Sequence, residues 1–513
     1  MPREPVERAL RRGQVLIGCM LSLGLVAMDS TIVATAIPSI VKDLGSFSLF
    51  PWIFSSYLLM QAVSMPVFGK LTDMISRRAV LIIGTAIFLG GSILCGVSSG
   101  MAMLVICRGI QGIGAGAVQP VTQTIVGDLY ELRERGKTQG LMSSVWAVSA
   151  VIGPALGGLF AQYIGWRWIF YINLPIGAAA LAIIMIHLRV TRPPGSRAEQ
   201  LDVLGVILLA MGVGSVVVGF LQSGSHRLAL GTPYSYAILA VGITILAAFA
   251  LHQRRARNPI LPPWLMRTRS LAWPIVHSIT VGLLVIAVTT YIPTFCQRTI
   301  GVGAVLAGFA LASMSIGWPF ASAFSARMYM RIGFRNTALV GGTCTLGACI
   351  LFILLSAHAN VWQVTGCSVI FGVGLGFQVT PLLVGIQSVV GFDRRGQVTG
   401  AFVFTRTVGS AVGTGIFAAV AHSASLANTP HGVYLETHRV MLAMMLAALA
   451  GLAVLALTPR VLSSAEAAYY TRRASEPSLT ANEEVDDLRG PRQRNKISGV
   501  GNLRRLRRGR PAS

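Results

Sequence analysis

Charge is what this 513-residue sequence has least of: 12% of its residues are charged and only 18 are acidic, against 53% hydrophobic residues and a mean hydropathy of +0.67. So little charge cannot cover the surface of a soluble protein. The seven cysteines form no CxxC pair, no metal-ligand spacing and no secreted disulfide framework. They read as small residues within or beside apolar runs. No phosphate-gripping loop, HExxH motif or long polar domain is present. Neither a nucleotide-driven machine nor a metalloenzyme is expected, and no metal or other cofactor.

What is present is a succession of apolar runs about twenty residues long, the length of helix that crosses about 30 Å of hydrocarbon. Fourteen such spans are expected, beginning near residue 15 and ending near residue 458. The 56 glycines suit close helix contact inside a membrane. A net charge of +24 raises nucleic acid as a partner, but the apolar spans cannot form a surface around a duplex, so none is expected. The basic residues before the first span resemble a signal peptide's start, yet the run exceeds twenty residues and contains Asp29; a retained first helix is expected.

Arginine and lysine test the count. With the N-terminus inside, inner segments before the tail carry 23 of them and outer loops five, namely Lys42, Arg167, Arg227, Arg298 and Arg439. This asymmetry fits an even number of spans with both termini cytoplasmic. From residue 459 the chain loses its apolar runs. It carries an acidic stretch and then Arg504, Arg505, Arg507, Arg508 and Arg510, the composition of a disordered tail able to touch anionic lipid headgroups.

A repeat organises the spans. Gly112, Gly114 and Gly116 recur 260 residues later as Gly372, Gly374 and Gly376; Arg135, Gly136 and Gly140 recur as Arg395, Gly396 and Gly400, and Gly153 as Gly413. The expected organisation is a cytoplasmic N-terminus (1–14), a six-helix half (15–188), a linker with two inserted helices (189–270), a second six-helix half (271–458) and the tail (459–513). Repeated halves are a common way to make one site that faces either side of a membrane in turn.

Four motifs carry a resemblance. The segment after the second span has Gly69, Asp73, Arg77 and Arg78 at characteristic spacing, with Met74 and Ser76 departing from the pattern. The fourth span reads Arg108-Gly109-Ile110-Gln111-Gly112-Ile113-Gly114-Ala115-Gly116-Ala117, and the fifth Gly153-Pro154-Ala155-Leu156-Gly157-Gly158. The last motif combines Asp29 to Pro38 with Trp166 to Gly177. Across residues 15 to 460 the chain resembles the major facilitator superfamily, in its fourteen-helix drug:proton antiporter branch. The resemblance implies an all-α major facilitator fold with two six-helix halves and two inserted helices. It also implies an inner-face latch at Gly69–Arg78, and export, since the Gly153 motif accompanies antiporters.

Asp29 is the only carboxylate deep in a span, and ionisable groups at such depth are expensive and usually functional. Asp29 and Arg108 each lie roughly 10 Å below the outer face at 1.5 Å per residue, which permits a pair. Together with the resemblance, this implies proton coupling through Asp29 and Arg108, with a polar or cationic substrate favouring the deprotonated acid. Gln61, Gln119, Gln123, His277, Gln378 and Arg406 are candidates to line the passage. No further acid lies deep in spans nine to fourteen, so neutral or singly charged amphiphiles are expected over multiply charged cations. The expected function is proton-driven export of drugs or other amphipathic molecules across a bacterial plasma membrane, with no obligatory oligomer. The alternatives are export of an endogenous product (antibiotic, siderophore or lipid) and a membrane-embedded enzyme.

Overall fold

The computed structural model describes residues 3–45, 49–188, 201–223, 233–421 and 430–459, all within one compact unit, Met1–Ala467. The basic tail expected beyond 459, and the first part of the 189–270 linker, lie outside the described residues.

The described elements are helical. In chain order they are α1 (Arg3–Leu44), α2 (Phe50–Met74), α3 (Arg77–Gly96), α4 (Met101–Leu129), α5 (Leu132–Leu159), α6 (Trp168–Tyr171), α7 (Asn173–His187), α8 (Val203–Ser223) and α9 (Pro233–Arg255). There follow α10 (Trp264–Arg267), α11 (Arg269–Phe295), α12 (Ala304–Ala312), α13 (Met314–Ile332), α14 (Phe334–Ile353), α15 (Val361–Val389), α16 (Arg395–Ala421) and α17 (Pro430–Leu457). Short elements α6 and α12 continue into α7 and α13 to complete single spans. Among the described residues, thirteen helices are long and apolar enough to cross a membrane, and α8 adds a shorter apolar stretch, Val203–Val216. Ile106, Ile186 and Leu354 are more than 60% exposed, as side chains that face lipid are. Lipid is as apolar as they are, so helix association rests on close packing and interhelical hydrogen bonds.

The packing repeats as the glycines do. A side chain at Gly112 or Gly116 would strike the α2 carbonyls of Tyr57 or Gln61; one at Gly372 or Gly376 would strike the α13 carbonyls of Met314 or Trp318. Gly114 likewise seats Phe88 of α3, and Gly374 seats Thr345 of α14. The ladder residues are 260 apart, and their partners are each 257 apart. Thus α2, α3 and α4 pack as α13, α14 and α15 do.

Two buried apolar clusters belong to α1–α7, and a third belongs mainly to α11–α17 with Leu209, Val213 and Phe249 from α8 and α9. The two groups of helices meet chiefly through α2 against α16 and α5 against α13. The hairpin of α8 and α9 lies beside that seam, with α8 touching both α2 and α16. We call the end of the bundle that carries Lys70, Arg77, Arg135, Arg335 and Arg395 the basic end.

Candidate functional site

Asp29 lies at the centre of a closed polar network inside α1, α3, α4 and α7. One carboxylate oxygen, Oδ2, accepts from Arg108 Nη1 at 2.6 Å. The other, Oδ1, accepts from Gln111 Nε2 at 2.8 Å and Asn173 Nδ2 at 3.3 Å. Arg108 Nη1 also donates to Gln111 Oε1 at 2.7 Å, and its Nε to the Ile53 carbonyl at 3.3 Å. Ser92 takes bonds from Gln111 and Asn173 and donates to the Phe170 carbonyl. The Tyr57 ring lies under the guanidinium at 4.1 Å, a cation–π contact that stabilises the charge where water is excluded. Asp29, Arg108, Gln111, Ser92 and Asn173 are all 0% exposed. The contact that matched depths permitted is therefore present, and it is a five-residue network rather than a lone pair.

Three polar atoms of this cluster have no hydrogen-bond partner: Arg108 Nη2, the Tyr57 hydroxyl oxygen and Asn173 Oδ1. The exporter-type motif sits directly against it. Gly153 and Gly157 of α5 meet Thr31, Ile32 and Thr35 of α1, and Thr31 Oγ1 donates to the Ser149 carbonyl at 3.0 Å. Pro154 is exposed, and Gly158 has open space around it.

The second cluster is at the basic end. Asp73, in the last turn of α2, accepts from the amides of Gly396 at 2.9 Å and Gln397 at 2.8 Å, at the start of α16. A helix N-terminus offers free N–H groups and the positive end of the helix dipole, which suits a carboxylate. Gly69 makes this approach feasible: a Cβ there would stand 2.7 Å from the Gly396 carbonyl oxygen. Asp128 of α4 bridges Arg77 Nε at 2.6 Å and Arg395 Nη1 at 2.9 Å. The first is a close charge contact without hydrogen-bond alignment; the second is an aligned bond. Arg77 Nη2 also donates to the Phe392 carbonyl at 2.6 Å, and its guanidinium lies 3.5 Å from the Phe392 ring centroid. Arg78 makes no such contact with a described residue. Ser76, a departure from the family pattern, caps α3 by accepting from the Ala79 amide at 3.2 Å.

Further hydrogen bonds join the two helix groups: Gln387 to the Gln123 carbonyl at 3.4 Å, Tyr329 to the Leu132 carbonyl, and Thr407 Oγ1 to Met65 Sδ at 3.4 Å. These hydrogen bonds between α1–α7 and α11–α17 lie between the basic end and mid-helix. Hydrogen bonds and ion pairs hold the groups together at the basic end.

The remaining candidates fall in separate places. His277 is enclosed, with Nδ1 3.1 Å from the Gly451 carbonyl and Nε2 2.9 Å from Gln378 Oε1, while Gln378 Nε2 donates to Thr345. This pair ties α11, α14, α15 and α17 together. Gln61 and Gln119 are nearly buried on α2 and α4. Gln123 Oε1 is buried without a partner. Arg406, mid-way along α16, is half-buried. At the opposite end, outside the apolar spans, Asp43 accepts from Trp166 Nε1 at 2.9 Å and Arg167 Nη1 at 2.8 Å. The Trp166 bond, then Arg167, holds its carboxyl below the usual carboxylate range.

Sequence reasoning passed over Gln111, Asn173, Ser92, Tyr57 and Asp128 as site residues. Asn173 and Ser92 had a readable signal, polar side chains within apolar runs. Asp128 did not, because an acid near a helix end reads as a loop residue until its two arginines are seen.

Thirteen apolar helices in repeated packing, with an enclosed acid–base network and a charged contact between two helix groups, define a multi-pass membrane transporter rather than an enzyme. The chain belongs to the Major Facilitator Superfamily, whose family model matches residues 19–414. It is 34% identical over 407 residues to multidrug resistance protein 3 of Bacillus subtilis, with 79% of each chain covered. It is 30% identical over 415 residues to the multidrug transporter protein MdtP of the same bacterium, covering 81% of this chain and 76% of that one. The human organic anion transporter MFSD10 shares the fold at 14% identity, with a TM-score of 0.63 over 86% of this chain and 99% of that one. Among the described residues no cluster of His, Cys, Asp or Glu could hold a metal.

Proposed function

We propose that the chain exports drugs or other amphipathic small molecules in exchange for protons. It would work by alternating access between two six-helix halves, in the fourteen-helix drug:proton antiporter branch, with α8 and α9 as the inserted pair. The basic end is cytoplasmic on this reading, and the structure is the conformer closed to the cytoplasm. The observation that carries the proposal is the fully enclosed Asp29–Arg108 network.

Proton uptake at Asp29 cancels the charge that holds Arg108, and a buried guanidinium without its counter-ion costs several kcal/mol. The network already has three unpartnered polar atoms, so a rearranged set of bonds is a nearby alternative. Two helices carry that change outward. α5 follows α1 through the Gly153 and Gly157 contacts. α4 carries Arg108 and Gln111 and, about 30 Å further along at 1.5 Å per residue, Asp128 of the basic-end bridge. Asp29 has both oxygens occupied and no exposed surface, so substrate and proton are coupled through helix position rather than by competition for the same atoms.

The test is substrate-induced proton release from purified protein in liposomes, run across a panel of amphiphiles. Release and uptake that follow an imposed pH gradient are expected. A panel in which no compound releases protons or is transported would overturn the reading.

A further inference from the structure

Among the described residues, the three charges placed deep in the spans, Asp29, Arg108 and Arg406, do not balance. Asp29 and Arg108 neutralise each other. Arg406 lies eleven residues beyond Arg395, about 16 Å into α16 at 1.5 Å per residue. Its side chain makes no hydrogen bond, ion pair or ring contact with any described residue, and it is half-buried. An unpaired cation at that depth is costly unless water or a counter-ion reaches it.

Helical phase shows where it faces. Thr399 and Arg406 are seven residues apart, two turns along one face. Thr399 bonds Gln387 of α15, which itself donates to the Gln123 carbonyl of α4. At the level of Thr399 that face is turned toward α15 and α4, and at the level of Arg406 it borders α11, whose Gly282 lies against the Arg406 carbonyl. Gly396 and Gly400 meet α2 about a quarter-turn away, and Gly409 meets Ile279 of α11 on the other flank. The neighbouring Thr407 touches Met65. Arg406 thus lies one turn from the level of Gln61, where α2 packs on Gly116 of α4. No described carboxylate is available to it: Asp29 is sealed in its network, and Asp43, Asp73, Asp128, Glu131, Glu134, Asp202, Asp393 and Glu436 lie toward helix ends.

We infer that Arg406 is an anion-binding group in the passage, and that the cargo includes amphiphiles bearing one carboxylate, phenolate, sulfonate or phosphate alongside an apolar body. This rests on the exporter reading and narrows its substrate class. The guanidinium fork suits planar oxyanions and pairs with them bidentately.

The experiment titrates full-length protein in zwitterionic phosphatidylcholine nanodiscs, which supply no anionic headgroup, with 2-naphthylacetate and its neutral amide. The carboxylate should bind about tenfold more tightly, equivalent to about 1.4 kcal/mol. Arg406→Gln should bring the two within about twofold while amide binding persists, and Arg406→Lys should keep a preference for the carboxylate. Equal affinities in the unaltered protein, or a preference that survives Arg406→Gln, would overturn the inference. The same pair in pH-driven liposomes separates the two claims. Selective binding without export sinks the exporter reading and upholds the anion site; export without selectivity does the reverse.

Discussion

Replacing Asp29 with asparagine keeps the volume of the side chain and removes its charge. Three donors converge on the Asp29 oxygens: Arg108 Nη1 at 2.6 Å, Gln111 Nε2 at 2.8 Å and Asn173 Nδ2 at 3.3 Å. An asparagine amide offers one oxygen and one NH₂, so at least one donor would face another donor. No cavity forms, so the loss is electrostatic. Removing one partner of a buried pair typically costs about 3–5 kcal/mol, because the other charge stays buried and uncompensated. Asp29→Asn should therefore destabilise the protein by about that much, as read by denaturation of the purified protein in mild detergent. Arg108→Gln alone should cost a similar amount. The double variant should recover part of the loss, since it leaves no lone charge, giving a coupling energy within the 0.5–3 kcal/mol range seen for contacting pairs. In liposomes, Asp29→Asn should lose pH-gradient-driven transport and retain passive exchange of substrate. A loss under about 0.5 kcal/mol, the scale of an ordinary surface substitution, or a double variant no more stable than the sum of the singles predicts, would refute the structural reasoning. Full dependence on the pH gradient would refute the coupling role.

Asp128→Asn should loosen the basic end, because Arg77 and Arg395 both rely on that carboxylate. Spin labels on α2 and α16 should report a longer distance at that end, and an unchanged distance would count against the bridge. Gly69→Ala should act in the same direction by steric means, since the Gly396 carbonyl oxygen would stand 2.7 Å from the new Cβ; cysteine-labelling rates near Thr72 should rise. Asp43 titrates below the usual carboxylate range when bound to Trp166 and Arg167. The stabilisation it contributes is present above about pH 3.9, the ordinary aspartate value, and is lost as pH falls through the lower bound-state value. Trp166 fluorescence should be flat down to about pH 4 and change only below it; a transition near pH 6 would show that another group controls the contact.

Helical content and membrane residence were legible because they depend on local quantities, the length of apolar runs and the position of charges. The repeat was legible too, because close packing demands glycine at fixed places, and Gly112, Gly116, Gly372 and Gly376 record those places in the chain. The Asp29–Arg108 contact could be anticipated only as equal depth. Its other members come from α3 and α7, where Ser92 and Asn173 look like minor polar interruptions of apolar helices. His277 and Gln378 looked like separate candidates for the passage, and the fold joins them in a bond between α11 and α15.

By itself, then, the sequence determined that the chain crosses a membrane repeatedly as helices, that its packing is built twice, and which few charged groups are buried. Those properties follow from hydropathy, helical period and the size of a side chain, each readable one segment at a time. Only the tertiary structure decided which of these charges are matched. Asp29 and Asp128 are neutralised by partners 79, 51 and 267 residues away, and Arg406 has no described partner. Pairing depends on the azimuth and depth of two helices at once, and no single stretch of sequence carries both.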